Sequence, residues 1–152
     1  MRPVGRFYMS EKLSYRECLK QRRAWYKTVG AVECPILTEN VVFTSKGFHH
    51  LKYDGSGRGR KVKDHHRRLT VLPYSVDVIK NATSIYEYKK NIYSKALGKY
   101  VDIWELRAVV GPDKESISVV LRRIGTGNIA FYSVWKNNGK HKATKKIKKS
   151  AN

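Results

Sequence analysis

Acidic side chains are the scarce class in this sequence. Asp and Glu number 12 against 32 Lys and Arg, which leaves a formal net charge of +20 over 152 residues. So few carboxylates argue against two-metal phosphoryl-transfer chemistry, in which several must converge on the ions. Cysteine is nearly absent. Cys18 and Cys34 are too few and too isolated for a disulfide framework or a zinc site, and are expected as ordinary reduced thiols. Long apolar runs are missing as well: no stretch reaches the roughly 18 residues that a membrane span requires. The opening Met1-Arg2-Pro3-Val4-Gly5-Arg6 lacks the apolar segment of a secretory signal. Together these absences predict no membrane span and a cytoplasmic location. No internal repeat of fixed period is visible.

What is present is a foldable chain with an excess of cations. Hydrophobic residues make up 41% and aromatics 11%, which excludes a wholly disordered polycation. The length fits one domain, placed over residues 1–136 and followed by a Lys-rich flexible tail over 137–152. A domain with this charge repels itself, and solubility alone needs only about 2–8 charges. A nucleic acid accounts for the excess, because each neutralised phosphate releases condensed counterions. An anionic membrane or an acidic protein fits less well.

The charge is unevenly spread. Residues 2–27 hold eight basic and two acidic side chains, residues 46–68 again eight and two, and Lys136 to Lys149 seven lysines and no acid. Asp77 to Glu115 is nearly neutral, with seven basic and six acidic residues, and reads as scaffold. The tail, with Lys145 and Lys146 at its centre, reads as an arm that adds affinity without sequence information.

The pattern predicts helices first and strands after. Ser10 to Lys27 reads as a helix with a capping box at Ser14-Tyr15-Arg16-Glu17, or an earlier cap at Ser10. Leu13, Cys18, Leu19 and Trp25 form its apolar stripe, with Lys20, Arg22 and Arg23 facing elsewhere. Val41-Val42-Phe43-Thr44 is a short strand, and Thr44 or Ser45 caps a second helix through Tyr53. Gly55-Ser56-Gly57-Arg58-Gly59-Arg60 reads as a flexible loop and a mobile basic lid. Lys63 to Leu72 is a third helix stopped by Pro73, with a further helical turn over Ser75–Asn81. Thr83–Lys89 and Tyr100–Val110 alternate at period two, and Ser116–Ile124 and Asn128–Lys136 form a hairpin through Gly125-Thr126-Gly127-Asn128. The expectation is an α+β domain, with N-terminal helices packed on one face of a four-stranded antiparallel sheet. In the second strand Trp104, Leu106, Ala108 and Val110 should face the helices, with Glu105 and Arg107 opposite. Ser118, Val120 and Arg122 share a side, as do Ile129, Phe131, Ser133 and Trp135.

Three segments carry a family resemblance. They are Val41-Val42-Phe43-Thr44-Ser45-Lys46-Gly47-Phe48-His49-His50, the Trp104–Val110 strand, and Val119-Val120-Leu121-Arg122-Arg123-Ile124-Gly125 followed by Ile129-Ala130-Phe131-Tyr132-Ser133-Val134. Over roughly residues 38–136 the chain resembles the barnase–EndoU–colicin–RelE-like nuclease superfamily, in its phage-associated branch. The insert from Asp54 to Lys61 and the Lys-rich tail depart from that pattern. The resemblance implies endoribonuclease activity without metal or other cofactor. The substrate's 2′-hydroxyl would attack the adjacent phosphate and leave a 2′,3′-cyclic end. It also implies a toxin or phage effector, with an acidic antitoxin or immunity partner over the basic cleft.

Such chemistry needs a base, an acid and a cation. Histidine titrates near neutral pH, and Arg or Lys can balance charge on the phosphate oxygens. His49 and His50 flank the core anchors Phe48 and Leu51; the resemblance favours one of them as catalytic without saying which. Arg107 and Arg122 are the expected strand cations on phosphate, and Ser133 a hydroxyl donor to it. Lys46, Lys52, Arg58, Arg60, Lys61, His65, His66, Arg67, Arg68 and Arg123 complete the expected RNA-binding surface with Lys145 and Lys146. No i, i+4 His pair and no carboxylate cluster is present, so no metal site is expected. Tyr86, Tyr88, Tyr93, Tyr100 and Tyr132 are candidate platforms for unpaired bases. For each of these residues the competing reading is a solvated face, an edge position or core packing. A non-catalytic, ribosome-associated RNA binder is the alternative function. A DNA-binding module using Lys63–Leu72 has no helix-turn-helix spacing behind it.

Overall fold

The computed structural model describes residues 13–137. The Ser10 cap and the tail residues Lys145 and Lys146 lie outside the described residues.

Helix α1 spans Tyr15–Val29, and the Ser14 side chain accepts the Glu17 backbone N–H at 3.2 Å, as the capping-box spacing predicts. Its buried stripe is Cys18, Arg22 and Tyr26, at four-residue spacing. Arg22 was expected to face elsewhere, yet it is only 3% exposed. Its Nε donates to the Leu69 carbonyl at 2.9 Å and its Nη2 to the Thr70 carbonyl at 3.4 Å. Those carbonyls belong to the last turn of α3, where helical partners run out.

The chain continues through β1 (Ala31–Cys34), a 3-10 turn (Pro35–Leu37), β2 (Glu39–Val42), α2 (Ser45–Lys52), α3 (Val62–Val71) and α4 (Tyr74–Asn81). Strands β3 (Ile85–Ser94), β4 (Lys99–Val110), β5 (Glu115–Ile124) and β6 (Ile129–Lys136) follow. The four-stranded antiparallel sheet expected from the sequence is corrected here. The sheet is mixed and six-stranded, in the order β1-β2-β6-β5-β4-β3. Strands β3 to β6 form an antiparallel meander. The β1–β2 hairpin joins it because β2 runs parallel to β6, with Val41 opposite Ile129 and Val42 opposite Ala130. Strands of four residues are too short to display alternation, and a parallel pairing between distant segments leaves no local signal.

One face of the sheet is covered. Trp104, Leu106 and Val110 on β4, Ile117, Val119 and Leu121 on β5, and Ile129, Phe131 and Val134 on β6 all enter the core. Helix α4 crosses this face and touches β1, β4 and β5, contributing Tyr74, Val78 and Ile79. The alternation in β4 follows the expected one. Cys18 and Cys34 are both buried, unpaired thiols.

The opposite face carries Glu105 and Arg107 on β4 and Ser118, Val120 and Arg122 on β5, by the register of the two strands. On β6 the expected alternation fails. Val120 faces Ser133 but Leu121 faces Phe131, so Tyr132 is the extra residue of a bulge. Ser133 therefore lies opposite Val120 and not beside Phe131 and Ile129. A period-two reading has no means of seeing an inserted residue.

Strand β2 accompanies β6 over two positions only; beyond them α2 and α3 lie against β6. The approach of α2 is close. A Cβ on Gly47 would stand 2.5 Å from the Phe131 carbonyl and 2.7 Å from the Tyr26 hydroxyl. That hydroxyl donates to the Thr44 carbonyl at 2.6 Å and ties α1 to the start of α2.

The glycine-rich segment after α2, expected as an irregular basic lid, forms a hydrogen-bonded turn. The Asp54 carboxylate accepts from the Ser56 and Arg58 backbone N–H groups at 2.9 and 3.0 Å and from the Ser56 hydroxyl at 2.7 Å. Tyr53 and Gly59 form a bridge, and the Arg60 N–H reaches the Lys52 carbonyl at 2.8 Å. Asp54 thereby closes the turn on its own following backbone, as an Asp side chain commonly does. Among the described residues no helix is long and apolar enough to cross a membrane.

Candidate functional site

Helix α2 sets the site. Leu51 is fully buried and the Phe48 ring packs on Tyr26, so His49 and His50 fall on either flank of that anchor. His50 turns toward β6, where its ring stacks on Tyr132 with centroids 3.8 Å apart. The Arg122 guanidinium lies 4.2 Å from the centre of the same tyrosine ring. The β6 bulge is what presents Tyr132 to both.

Two further guanidiniums close on this point. Arg60 donates from Nε and Nη2 to the His50 carbonyl, each at 3.4 Å. Arg68, on α3, donates from Nη1 to the Ser133 hydroxyl at 2.8 Å and to the Val134 carbonyl at 3.4 Å. Because Ser133 Oγ accepts this bond, its own proton is left to donate. Asp64 is the carboxylate paired with Arg60, at 3.7 Å, and with Arg68, at 3.3 Å. Arg122 has no carboxylate partner among the described residues. Three cations share one anion, so an added anion would be favoured here.

His50 feels that charge. Burial, then Arg60, Arg122 and Arg68, push its pKa from 6.5 down to about 4, and the Tyr132 backbone opposes the shift weakly. The ring is therefore neutral near pH 7. Both of its nitrogens are buried and neither makes a hydrogen bond of good geometry. A cleft of about 430 Å³ opens alongside, lined in part by Ser45, Lys46, Arg122, Asn128 and Tyr132.

The fold thus brings His50, Arg122 and Ser133 together and leaves His49 and Arg107 out. His49 is exposed on the other flank of α2 and stacks on Tyr53 at 4.5 Å. Arg107 shares the open face with Arg122, but Arg122 lies opposite Ile103, four residues or roughly 13 Å along β4. Its guanidinium lies 3.7 Å from the centre of the Tyr86 ring, with bonds to Glu105 at 3.1 Å and Ser118 at 3.0 Å.

The expected RNA-binding residues divide. Lys46, Lys52, Arg58, Lys61 and Arg67 are exposed, whereas Arg60 and Arg68 belong to the His50 cluster. His65 is 2% exposed, with Nδ1 held by the Tyr15 hydroxyl at 2.7 Å. His66 Nε2 meets the Leu13 carbonyl at 3.1 Å. Both rings meet Tyr15 edge-on, so they join α3 to α1. Arg123 bonds Glu39 and the Gly127 carbonyl. Among the tyrosines, Tyr88 stacks on Trp104, Tyr132 supports His50 and Arg122, and Tyr93 and Tyr100 pair edge-on at the surface.

The sequence reading missed the convergence of Arg60 and Arg68 on one histidine. The only signal for it was Asp64, four residues from each. Among the described residues no group of three His, Cys, Asp or Glu could hold a metal ion. No family model, no curated protein and no solved structure matches this chain.

Proposed function

We propose that this chain is a metal-independent endoribonuclease, of the toxin or phage-effector kind, that cleaves through the substrate's own 2′-hydroxyl. The observation that supports it is the neutral His50 ring, its two nitrogens buried without a hydrogen bond of good geometry, beside Arg60 and Arg68, which share the Asp64 carboxylate, and Arg122, which has no carboxylate partner among the described residues. A phosphate seated among Arg60, Arg68 and Arg122 has its non-bridging charge balanced, and more so as the pentacoordinate state forms. That phosphate also offsets the cations that depress His50, so the ring gains basicity when substrate is present. His50 then takes the 2′-hydroxyl proton. The 2′-oxygen bonds to phosphorus, the bond to the 5′-oxygen breaks, and that oxygen leaves with a proton from water. The Ser133 hydroxyl donates to the phosphate. The β2 strand running into the His-bearing helix α2, and the β4–β6 strands, are the segments on which the superfamily resemblance rests. An acidic antitoxin or immunity partner would fit the same cluster, and a cytoplasmic site of action suits an RNA target.

The test is cleavage of tRNA, messenger RNA and ribosomal RNA in EDTA. Cyclic-phosphate ends are expected. His50→Ala should cut at least about 100-fold more slowly while still binding RNA, and His49→Ala should cut normally. RNA binding without EDTA-resistant cutting would instead mark a non-catalytic RNA binder and overturn the proposal.

A further inference from the structure

A second basic pocket lies on the other flank of α2 from His50. It has a volume of about 300 Å³, and its walls include Arg23 from α1, His49 and Lys52 from α2, and His65 from α3. We propose that this pocket binds a phosphate group, at a subsite separate from the His50 cluster.

His65 is almost wholly removed from solvent, at 2% exposure. Its Nδ1 end is fixed by Tyr15, which is not part of the pocket wall. The opposite end, Nε2, is buried and has no hydrogen-bond partner. When the Tyr15 hydroxyl donates to Nδ1, the ring proton sits on Nε2, and a buried donor faces the pocket without an acceptor. An unmade bond of this kind is costly in a folded protein and points to a missing partner.

The pocket's chemistry identifies that partner as an anion. Arg23 lies over the Phe48 ring and Lys52 over the Tyr53 ring, each at 5.6 Å, and both rings line the same pocket. The two cations are held in place by aromatic faces, and neither pairs with a carboxylate among the described residues. No Asp or Glu lines the pocket. The nearest acid to act on His65 is Asp64, which is already engaged by Arg60 and Arg68. Two fixed cations, an imidazole donor and the Ser45 and Tyr53 hydroxyls suit the several acceptor oxygens of a phosphate. The source is either a backbone phosphate of a bound strand or a free phosphate or mononucleotide.

The inference does not depend on cleavage, and its test avoids it. The full chain is titrated with inorganic phosphate while the histidine ring nitrogens are followed by proton–nitrogen correlation NMR. Saturable movement of the His65 Nε2 signal is expected, without movement of His66. Arg23→Ala and Lys52→Ala, both at exposed positions, should each weaken that response about tenfold. His50→Ala and Arg67→Ala should leave it unchanged. A 2′-O-methyl oligoribonucleotide, which cannot be cut, separates the sources. If the strand occupies the pocket, each of the two variants lowers the salt slope of its binding by about 0.7. If the occupant is free phosphate, the slope stays and the phosphate response alone weakens. A His65 signal that does not move with phosphate, or that moves in Arg23→Ala and Lys52→Ala as it does in the wild-type chain, overturns the inference.

Discussion

His50 and His65 lie on different helices, α2 and α3, yet burial and nearby cations bring each to a pKa of about 4. This couples single residues to stability. Below the unfolded value of about 6.5, the unfolded chain takes up protons that these two folded rings refuse. Stability should therefore fall as pH drops from about 6.5 to about 4, by up to roughly 3 kcal/mol for each ring. Above that window both are neutral in either state and contribute no slope. Urea midpoints measured from pH 7 to pH 4 test this, and His50→Asn should remove about half of the slope. A flat profile in the wild-type chain would show that these rings are not held neutral. His50 and Ser133 were legible as candidates from residue type alone. Arg107 was equally plausible by type, but Glu105, Ser118 and Tyr86 claim its guanidinium.

At the scale of elements, α2 matters because it stands where β2 leaves β6. Its position rests on one small residue. In Gly47→Ala the new Cβ would meet the Phe131 carbonyl at 2.5 Å and the Phe131 ring at 2.9 Å. A backbone carbonyl in a sheet cannot yield as a side-chain tip can. The overpacking should cost about 1–3 kcal/mol, against the ~1 kcal/mol that alanine gains in helix propensity. Lifting α2 would also unstack His50 from Tyr132, so cleavage should fall along with the melting temperature. Unaltered melting and unaltered cleavage would show that α2 does not seat on β6 this closely. The helix itself and its start near Thr44 were readable from the sequence; its seat against β6 was not.

Across the whole molecule the net charge of +20 should set the salt dependence of the proposed RNA binding. Arg60, Arg68, Arg122 and Lys46 alone present four cations around the cleft and His50. Four phosphates neutralised on a single strand give a slope of log affinity against log salt of about −3. Binding of a 2′-O-methyl oligoribonucleotide from 50 to 200 mM salt measures it. A slope near zero would mean that contacts to bases, not phosphates, dominate, and would remove the reason given for the excess charge.

Composition and local pattern determined that this chain is an α+β fold with a large excess of cations. Apolar periodicity fixed which stretches became helices and which became the β3–β6 strands, because side-chain burial repeats at the period of the element that carries it. The ratio of cations to carboxylates fixed the strongly positive charge on which the proposal of a nucleic-acid partner rests. Three decisions belonged to tertiary structure alone: the parallel β2–β6 pairing, the extra residue at Tyr132, and the meeting of Arg60 and Arg68 with Arg122 around one histidine. Each depends on contacts between residues far apart in the chain, whose free energy appears only after the core has closed.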